Sequence, residues 1–157
     1  MQSLVAQYER LVLLLSGRLT EGVALLLCRL SLAGVFWRAG RSKIEEGTLL
    51  TIKESTRFLF EYEYSGIPLP STVALYLATY AEHALSLLLA VGFATRLSAL
   101  GLLGMTMTIQ LFVYPDAWWA VHSLWAALCL IILSAGGGCL SADQWFRSRS
   151  GLESHPR

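Results

Sequence analysis

The sequence predicts an all-α integral membrane protein, a bundle of four antiparallel transmembrane helices with a short extra helix in the first outer loop. Hydrophobic residues make up 55% of the 157 residues and charged residues only 15%, whereas about a quarter of an ordinary soluble domain is charged. The apolar residues fall into blocks, as a bilayer requires. The net charge of +1 gives no indication of a nucleic-acid partner.

The apolar blocks define the four spans and their directions. We expect them at about residues 22–40, 71–93, 97–113 and 117–135, in a membrane domain covering residues 22–138. The last three blocks are joined by very short turns, so the helices they form must be antiparallel neighbours.

The segment between the first two spans, residues 41–70, is too charged to cross lipid, since it holds nine charged residues. Thr51 followed by Glu54 has the spacing of a capping box, which predicts a short helix outside the bilayer. Aromatic residues on this helix would sit at the lipid head groups. Pro70 is well placed to begin the second span.

The two ends of the chain lie outside the apolar blocks. Residues 1–21 form an N-terminal segment in which apolar side chains recur at helical spacing, which predicts an amphipathic helix on the membrane surface. An inward extension of the first span explains the same pattern nearly as well. Residues 139–157 form a polar tail.

Basic residues set the expected orientation. Six lie on the side of the termini and four on the other side, in the long loop: Arg10, Arg18, Arg96, Arg147, Arg149 and Arg157 against Arg41, Lys43, Lys53 and Arg57. We therefore expect a multi-pass membrane protein with both termini cytoplasmic.

Ionisable residues inside the apolar blocks are the strongest functional signal, because a charge at mid-bilayer costs at least about 2.5–3.5 kcal/mol. Arg29 is near the middle of the first span and Glu82 near the middle of the second. Antiparallel helices would bring them to a similar depth, so an Arg29–Glu82 ion pair is expected. Such a pair can serve a ligand or only fix the helix register, and the sequence leaves both open.

The other polar and aromatic residues of the spans predict a site around this pair. Glu82, Arg29 and His122 are the candidate catalytic residues. The candidate ligand-binding residues are His83, Gln110, Tyr80, Trp118, Trp119 and Trp125. Such a cluster can donate to carbonyl oxygens, exchange protons and cover a ring, so a quinone is the candidate cofactor. An ordinary polar core would have the same composition.

Other cofactors find less support. Two histidines on separate helices are weak evidence for a metal or haem, so no metal site is expected, and no G-x-G-x-x-G motif for a flavin or nicotinamide is present. The cysteines Cys28, Cys129 and Cys139 form no C-x-x-C pair. Small buried side chains are the simplest explanation for the two in apolar blocks, and a membrane-embedded dithiol is the alternative.

Several short motifs, taken in order, resemble the DoxX family of bacterial membrane proteins, including DoxD-like members. Their order and spacing over residues 29–143 are more specific than any one of them: Arg29-Leu30, Gly40-x-x-Lys43, Tyr80-Ala81-Glu82, Gly92-Phe93-Ala94-Thr95-Arg96, His122-x-x-Trp125 and Gly136-x-Gly138-x-Leu140-Ser141-x-Asp143. The closing Gly136-Gly137-Gly138 departs from the Gly-Pro-Gly usual in the family. The resemblance implies four helices, an inner-membrane location and a link to thiol, sulfur or metal stress.

Three functions compete, and the sequence leaves open whether the chain is an enzyme. The first is a membrane redox component or quinone-binding anchor that works with a soluble or peripheral protein, as part of a quinone-linked oxidoreductase. The second is a non-enzymatic anchor or assembly factor for such partners, with residues 41–70 as the docking surface. The third is a small transporter built as a homo-oligomer, which is disfavoured because no discontinuous helix is evident.

Overall fold

The computed structural model describes residues 2–150. The described chain is helical and has no strand, apart from one isolated antiparallel bridge between Ile44 and Ile52. The helices are α1 (Gln2–Leu15), α2 (Arg18–Lys43), α3 (Glu54–Phe58), α4 (Ser71–Val91), α5 (Thr95–Phe112), α6 (Ser123–Ala135) and α7 (Ala142–Arg149). Residues 151–157 of the expected tail, with Arg157 of the charge count, lie outside the described residues.

Three helical stretches are long and apolar enough to cross a bilayer: Arg18–Lys43, Ser71–Val91 and Pro115–Ala135. The third is continuous but not uniform, since a 3₁₀ turn (Pro115–Ala117) and a π-helical turn (Trp118–His122) lead into α6. The prediction of an all-helical protein with apolar spans is therefore confirmed. Helix α5 has 18 residues, shorter than these three stretches, and packs between α4 and α6.

The main core lies where α2, α4, α5 and α6 meet. Each helix contributes fully buried side chains: Leu32, Ala33, Phe36, Leu89, Ala99, Leu102, Cys129 and Ile132. The outward faces of these helices are also apolar, with exposed leucines such as Leu77, Leu97 and Leu124. Buried polar residues together with an exposed apolar surface are typical of a protein whose solvent is lipid.

The segment between α2 and α4, which we call the outer segment after its expected position, forms a second small core at the end of the bundle away from the termini. Ile44, Ile52 and Phe60 pack against Ala74 and Leu75 in the first turns of α4. Helix α3 continues into a π-helical turn, Leu59–Glu63. The expected capping box does not form, because the residue at the N-cap position is Lys53 and not Thr51. The Thr51 carbonyl accepts a hydrogen bond from the Glu45 N–H.

Helix α1 is joined to α2 by a break at Ser16 and Gly17, so it is a separate helix and not an inward extension of the first span. Its apolar residues Leu4, Leu13 and Leu14 are mostly exposed. The three cysteines are free, which leaves no disulfide among the described residues.

Candidate functional site

Lys43 and Glu82 form the one buried salt bridge among the described residues. The Lys43 ammonium lies 2.8 and 2.7 Å from the two carboxylate oxygens of Glu82, and it also donates to the Ala39 carbonyl at 3.2 Å. The side chains are 11% and 3% exposed. Lys43 is the last residue of α2 and Glu82 lies in the middle of α4.

The expected Arg29–Glu82 ion pair is therefore wrong. Arg29 contacts α4 at the Leu89 and Ala90 carbonyls, seven or eight residues beyond Glu82 and thus about 10 Å further along the helix. Equal depth was expected because both residues lie near the middle of their spans. Helix α4, however, begins beyond the end of α2, where residues 44–60 cover its first turns, so the middles of the two helices are not level.

Hydrogen bonds to backbone carbonyls compensate for the burial of the Arg29 charge. It is 0% exposed, and it donates to Leu89, Ala90 and, at 2.7 Å, Leu140. Leu89 and Ala90 are in the last turn of α4, whose carbonyls have no partner within the helix and carry its negative dipole end. Arg29 thus joins α2, the end of α4 and the segment after α6. Among the described residues, no acidic side chain forms a salt bridge with Arg29.

Asp143 is the negatively charged residue of the same junction. Its carboxylate accepts from the N–H groups of Ala94 and Thr95, each at 2.8 Å, and from the Thr95 hydroxyl at 2.6 Å. It therefore caps the N-terminus of α5. Burial alone would raise the pKa of Asp143, but the hydrogen bonds from Thr95 and Ala94 and the Arg147 charge outweigh it and lower the pKa. Gly92 is required here, because its φ is +78° and a Cβ would lie 2.2 Å from the Arg29 Nη1.

The structure brings together two further expected residues, Gln110 and His122. The Gln110 Nε2 donates to the Pro115 carbonyl at 2.6 Å, so its Oε1 faces His122. An amide oxygen can only accept, and the His122 Nδ1, 2.7 Å away, must be the protonated nitrogen. Trp125 covers the imidazole at a centroid distance of 5.4 Å. His122 is buried within the π-helical turn.

The remaining expected site residues lie apart from this group. His83 faces α2, where its ring meets the edge of Trp37. Its Nδ1 donates to the Thr79 carbonyl one turn earlier on α4. Tyr80 donates to the Leu50 carbonyl in the outer segment. Trp118 and Trp119 contact each other, and Trp119 is 87% exposed. The single polar cluster expected from the sequence is thus divided, with Arg29 at the inner junction, Glu82 with Lys43, and Gln110 with His122.

An apolar cleft of about 370 Å³ lies between α4 and α5 and under the outer segment. Glu82 and Lys43 lie on its polar wall, and its other lining is mainly apolar: Phe60, Tyr64, Ile67, Leu69, Ala74, Leu77, Ala78, Ala81, Leu85, Gly101, Gly104, Met105, Thr108 and Ile109. At Gly104 nothing lies within 4 Å of where a Cβ would be. Gly104 is exposed, so the cleft is open at this side of α5.

Tyr64 and Tyr114 hold the outer segment against the turn before α6. Their rings meet edge to face at 6.1 Å, and the Tyr114 hydroxyl donates to the Glu63 carboxylate. Burial raises the pKa of Tyr64. The hydrogen bond to Glu63, followed by burial, raises the pKa of Tyr114. Both phenols are therefore protonated at neutral pH.

Two of these residues were missed as site candidates. Lys43 was noted only within the motif Gly40-x-x-Lys43, because it falls just outside the expected first span. Asp143 was likewise noted only in a motif, in a region expected to be a polar tail. In both cases a charged residue at the end of an apolar block was the available signal.

Comparison with known proteins gives one match. The family model DoxX matches residues 24–115, which is more than half of the chain and includes Arg29, Lys43, Glu82 and Gln110. No curated protein matches the chain, and no solved structure does.

Proposed function

The chain belongs to the DoxX family, and on that premise we propose that it is a membrane redox component that binds a quinone and works with a soluble partner. The quinone is the substrate. Its reduction to the quinol takes two electrons and two protons, and the partner supplies the electrons, since the sequence has no flavin or nicotinamide motif.

The observation that carries this proposal is the buried Lys43–Glu82 pair on the wall of an apolar cleft. Lipid-soluble molecules bind in apolar clefts that contain a few convergent polar groups. A quinone carbonyl would take one of the hydrogen bonds that Lys43 now donates. Glu82 would exchange protons with the reduced head group, and the apolar tail would leave through the opening at Gly104.

Equilibrium binding of a short-chain quinone and of its quinol to the purified protein in nanodiscs tests the site. We expect Glu82→Gln to weaken quinol binding roughly tenfold, because the quinol hydroxyl loses its charged hydrogen-bond acceptor. Glu61→Gln, which changes an exposed acid in the outer segment, is the matched control. Because Glu82→Gln leaves Lys43 unpaired, Gly104→Leu gives a second test that keeps the ion pair and fills the opening.

Two results would overturn the proposal. One is a wild-type protein that neither binds quinone nor carries it in a lipid extract. The other is unchanged binding in both Glu82→Gln and Gly104→Leu, at the level of the Glu61→Gln control.

We also propose that α5 is a fourth span, that the α3 segment lies outside the membrane, and that both termini face the cytoplasm. Support comes from the packing of α5 between α4 and α6, with tight turns at both its ends. A helix of 18 residues is about 27 Å long, close to the ~30 Å hydrocarbon core. The distribution of basic residues favours this orientation in the bacterial inner membrane.

A second candidate function is a non-enzymatic anchor for a soluble partner. It is favoured by exposed apolar side chains on the ordered outer segment, where Phe58 and Tyr62 stack at 6.1 Å and are 54% and 70% exposed. Aromatic side chains of this kind dominate protein–protein contacts.

Affinity purification followed by mass spectrometry tests docking on this segment. Because both functions use a soluble partner, complementation of a gene deletion by Glu82→Gln separates them. If the chain is an anchor, the double variant Phe58→Ala and Tyr62→Ala loses a specific partner, while Glu82→Gln retains that partner and complements the deletion as well as wild type does. Equal partner recovery from both variants and from wild type would exclude docking on this segment.

A further inference from the structure

The inner end of the bundle contains a cleft of about 190 Å³ whose lining is unlike that of the quinone cleft. Arg18, Arg96 and Arg147 surround it, and residues 136–138 form its glycine floor. We call it the arginine cleft. Its three arginines come from the beginnings of α2 and α5 and from α7, so the fold brings together residues far apart in sequence.

The charges of the arginine cleft do not cancel. Within the described chain none of the three arginines forms a salt bridge with an acid. Two acids, Glu21 and Asp143, also line the cleft, so its three arginines and two acids leave a formal charge of +1. The Asp143 carboxylate is directed to the start of α5, where it accepts hydrogen bonds from Ala94 and Thr95.

The glycine floor is required by its backbone conformation and by close packing. Gly136 and Gly138 have positive φ angles of 83° and 74°. A Cβ on Gly137 would lie 2.6 Å from the Ser141 Cβ, and one on Gly138 3.0 Å from Leu25. Arg96 is held beside this floor by its hydrogen bond to the Ser134 carbonyl at 3.0 Å. One arginine is thus already oriented before any ligand arrives.

We propose that the arginine cleft binds a phosphate group. An arginine guanidinium carries the charge opposite to that of phosphate and can donate two parallel hydrogen bonds to its oxygens. The cleft has room for about six water molecules at ~30 Å³ each, which accommodates a phosphate and its first ester atoms. Basic pockets between membrane helices bind lipid phosphates, and a soluble phosphate has the same recognition chemistry.

Cys139 provides a built-in reporter of occupancy. It lines the arginine cleft, it is partly exposed, and its Sγ donates to the Arg18 carbonyl at 3.4 Å. A ligand in the cleft should slow its alkylation by iodoacetamide. Peptide mass spectrometry distinguishes Cys139 from Cys28 and Cys129, so no cysteine needs to be replaced.

The experiment compares alkylation rates in three conditions: phosphate-free dodecyl maltoside micelles, the same micelles with phosphatidylglycerol, and the same micelles with inorganic phosphate. Slower Cys139 alkylation with phosphatidylglycerol alone identifies a lipid phosphate. Slower alkylation with inorganic phosphate identifies a soluble one. An unchanged rate in both conditions overturns the proposal.

A matched pair of variants removes the effect of surface charge. Arg147→Gln changes a cleft arginine, and Arg149→Gln changes one two residues away on the same helix that stacks on Trp145 at 4.1 Å. We expect Arg147→Gln to raise the ligand concentration needed for protection roughly tenfold and Arg149→Gln to leave it unchanged. Equal effects of the two substitutions would overturn the proposal, as would full protection in the double variant Arg18→Gln and Arg147→Gln.

Discussion

Arg29 illustrates how a membrane protein can bury a charge without an ion pair. A single buried charge is costly in lipid, and its neutralisation here comes from helix-end carbonyls of α4 and from Leu140. Asp143 makes the complementary arrangement at the start of α5. A short turn at Gly92 joins the two helix ends. One cation therefore binds the free carbonyls before the turn, and one anion binds the free N–H groups after it.

At this scale we predict that Asp143→Asn lowers the stability of the protein by about 1–2 kcal/mol, the usual cost of losing a helix N-cap. An amide offers one acceptor oxygen where the carboxylate offers two. At least one of the donors from Ala94 and Thr95 therefore loses its acceptor. The measurement is the unfolding midpoint in detergent, with Asp116→Asn as control because Asp116 is exposed and not hydrogen-bonded through its side chain in the described chain.

The pH dependence of that difference follows from the direction of the shift. The folded state lowers the pKa of Asp143, so its contribution is fully present above the ordinary pKa of about 3.9. The contribution is lost as the pH falls through the lowered value. Wild type and Asp143→Asn should therefore differ at neutral pH and converge in strong acid. A constant difference across this range would contradict the role of the charge.

At the scale of elements, the apolar blocks were enough to predict where the long helices lie, because each block must be shielded from water. They were not enough to predict how α2 and α4 align. The depth of Arg29 and Glu82 was inferred from their positions within the spans, but the outer segment covers the start of α4 through Ile44 and Phe60. Such tertiary packing leaves no periodic signal in the sequence.

The candidate site, like the helix arrangement, could be predicted only in part. Gln110 and His122 were expected in one cluster, and the short turn through Pro115 brings them within 2.7 Å. Lys43 was not expected beside Glu82, because an alignment of the two helices was needed to place it. Contacts across a short turn can be read from the sequence, whereas contacts across the long outer segment cannot.

For the whole molecule, polarity is distributed in the opposite way to that of a soluble protein. Arg29, Glu82 and His122 are buried, while leucines cover the outside of the bundle. Helix α5 shares this distribution, since its Leu97, Leu100 and Leu111 are exposed while Ser98 and Thr106 are buried. A position of α5 outside the membrane would leave those leucines in water.

We therefore predict that α5 crosses the membrane, and cysteine accessibility checks it. In a background with Cys28→Ala and Cys139→Ala, an impermeant maleimide should label Ser65→Cys and Asp116→Cys in intact spheroplasts but Phe93→Cys only after permeabilisation. All three positions are exposed on the protein, and the remaining Cys129 is fully buried. If Asp116→Cys and Phe93→Cys were labelled from the same side, α5 would not cross. If Ser65→Cys were protected and Phe93→Cys labelled, the orientation would be reversed while the four spans remained.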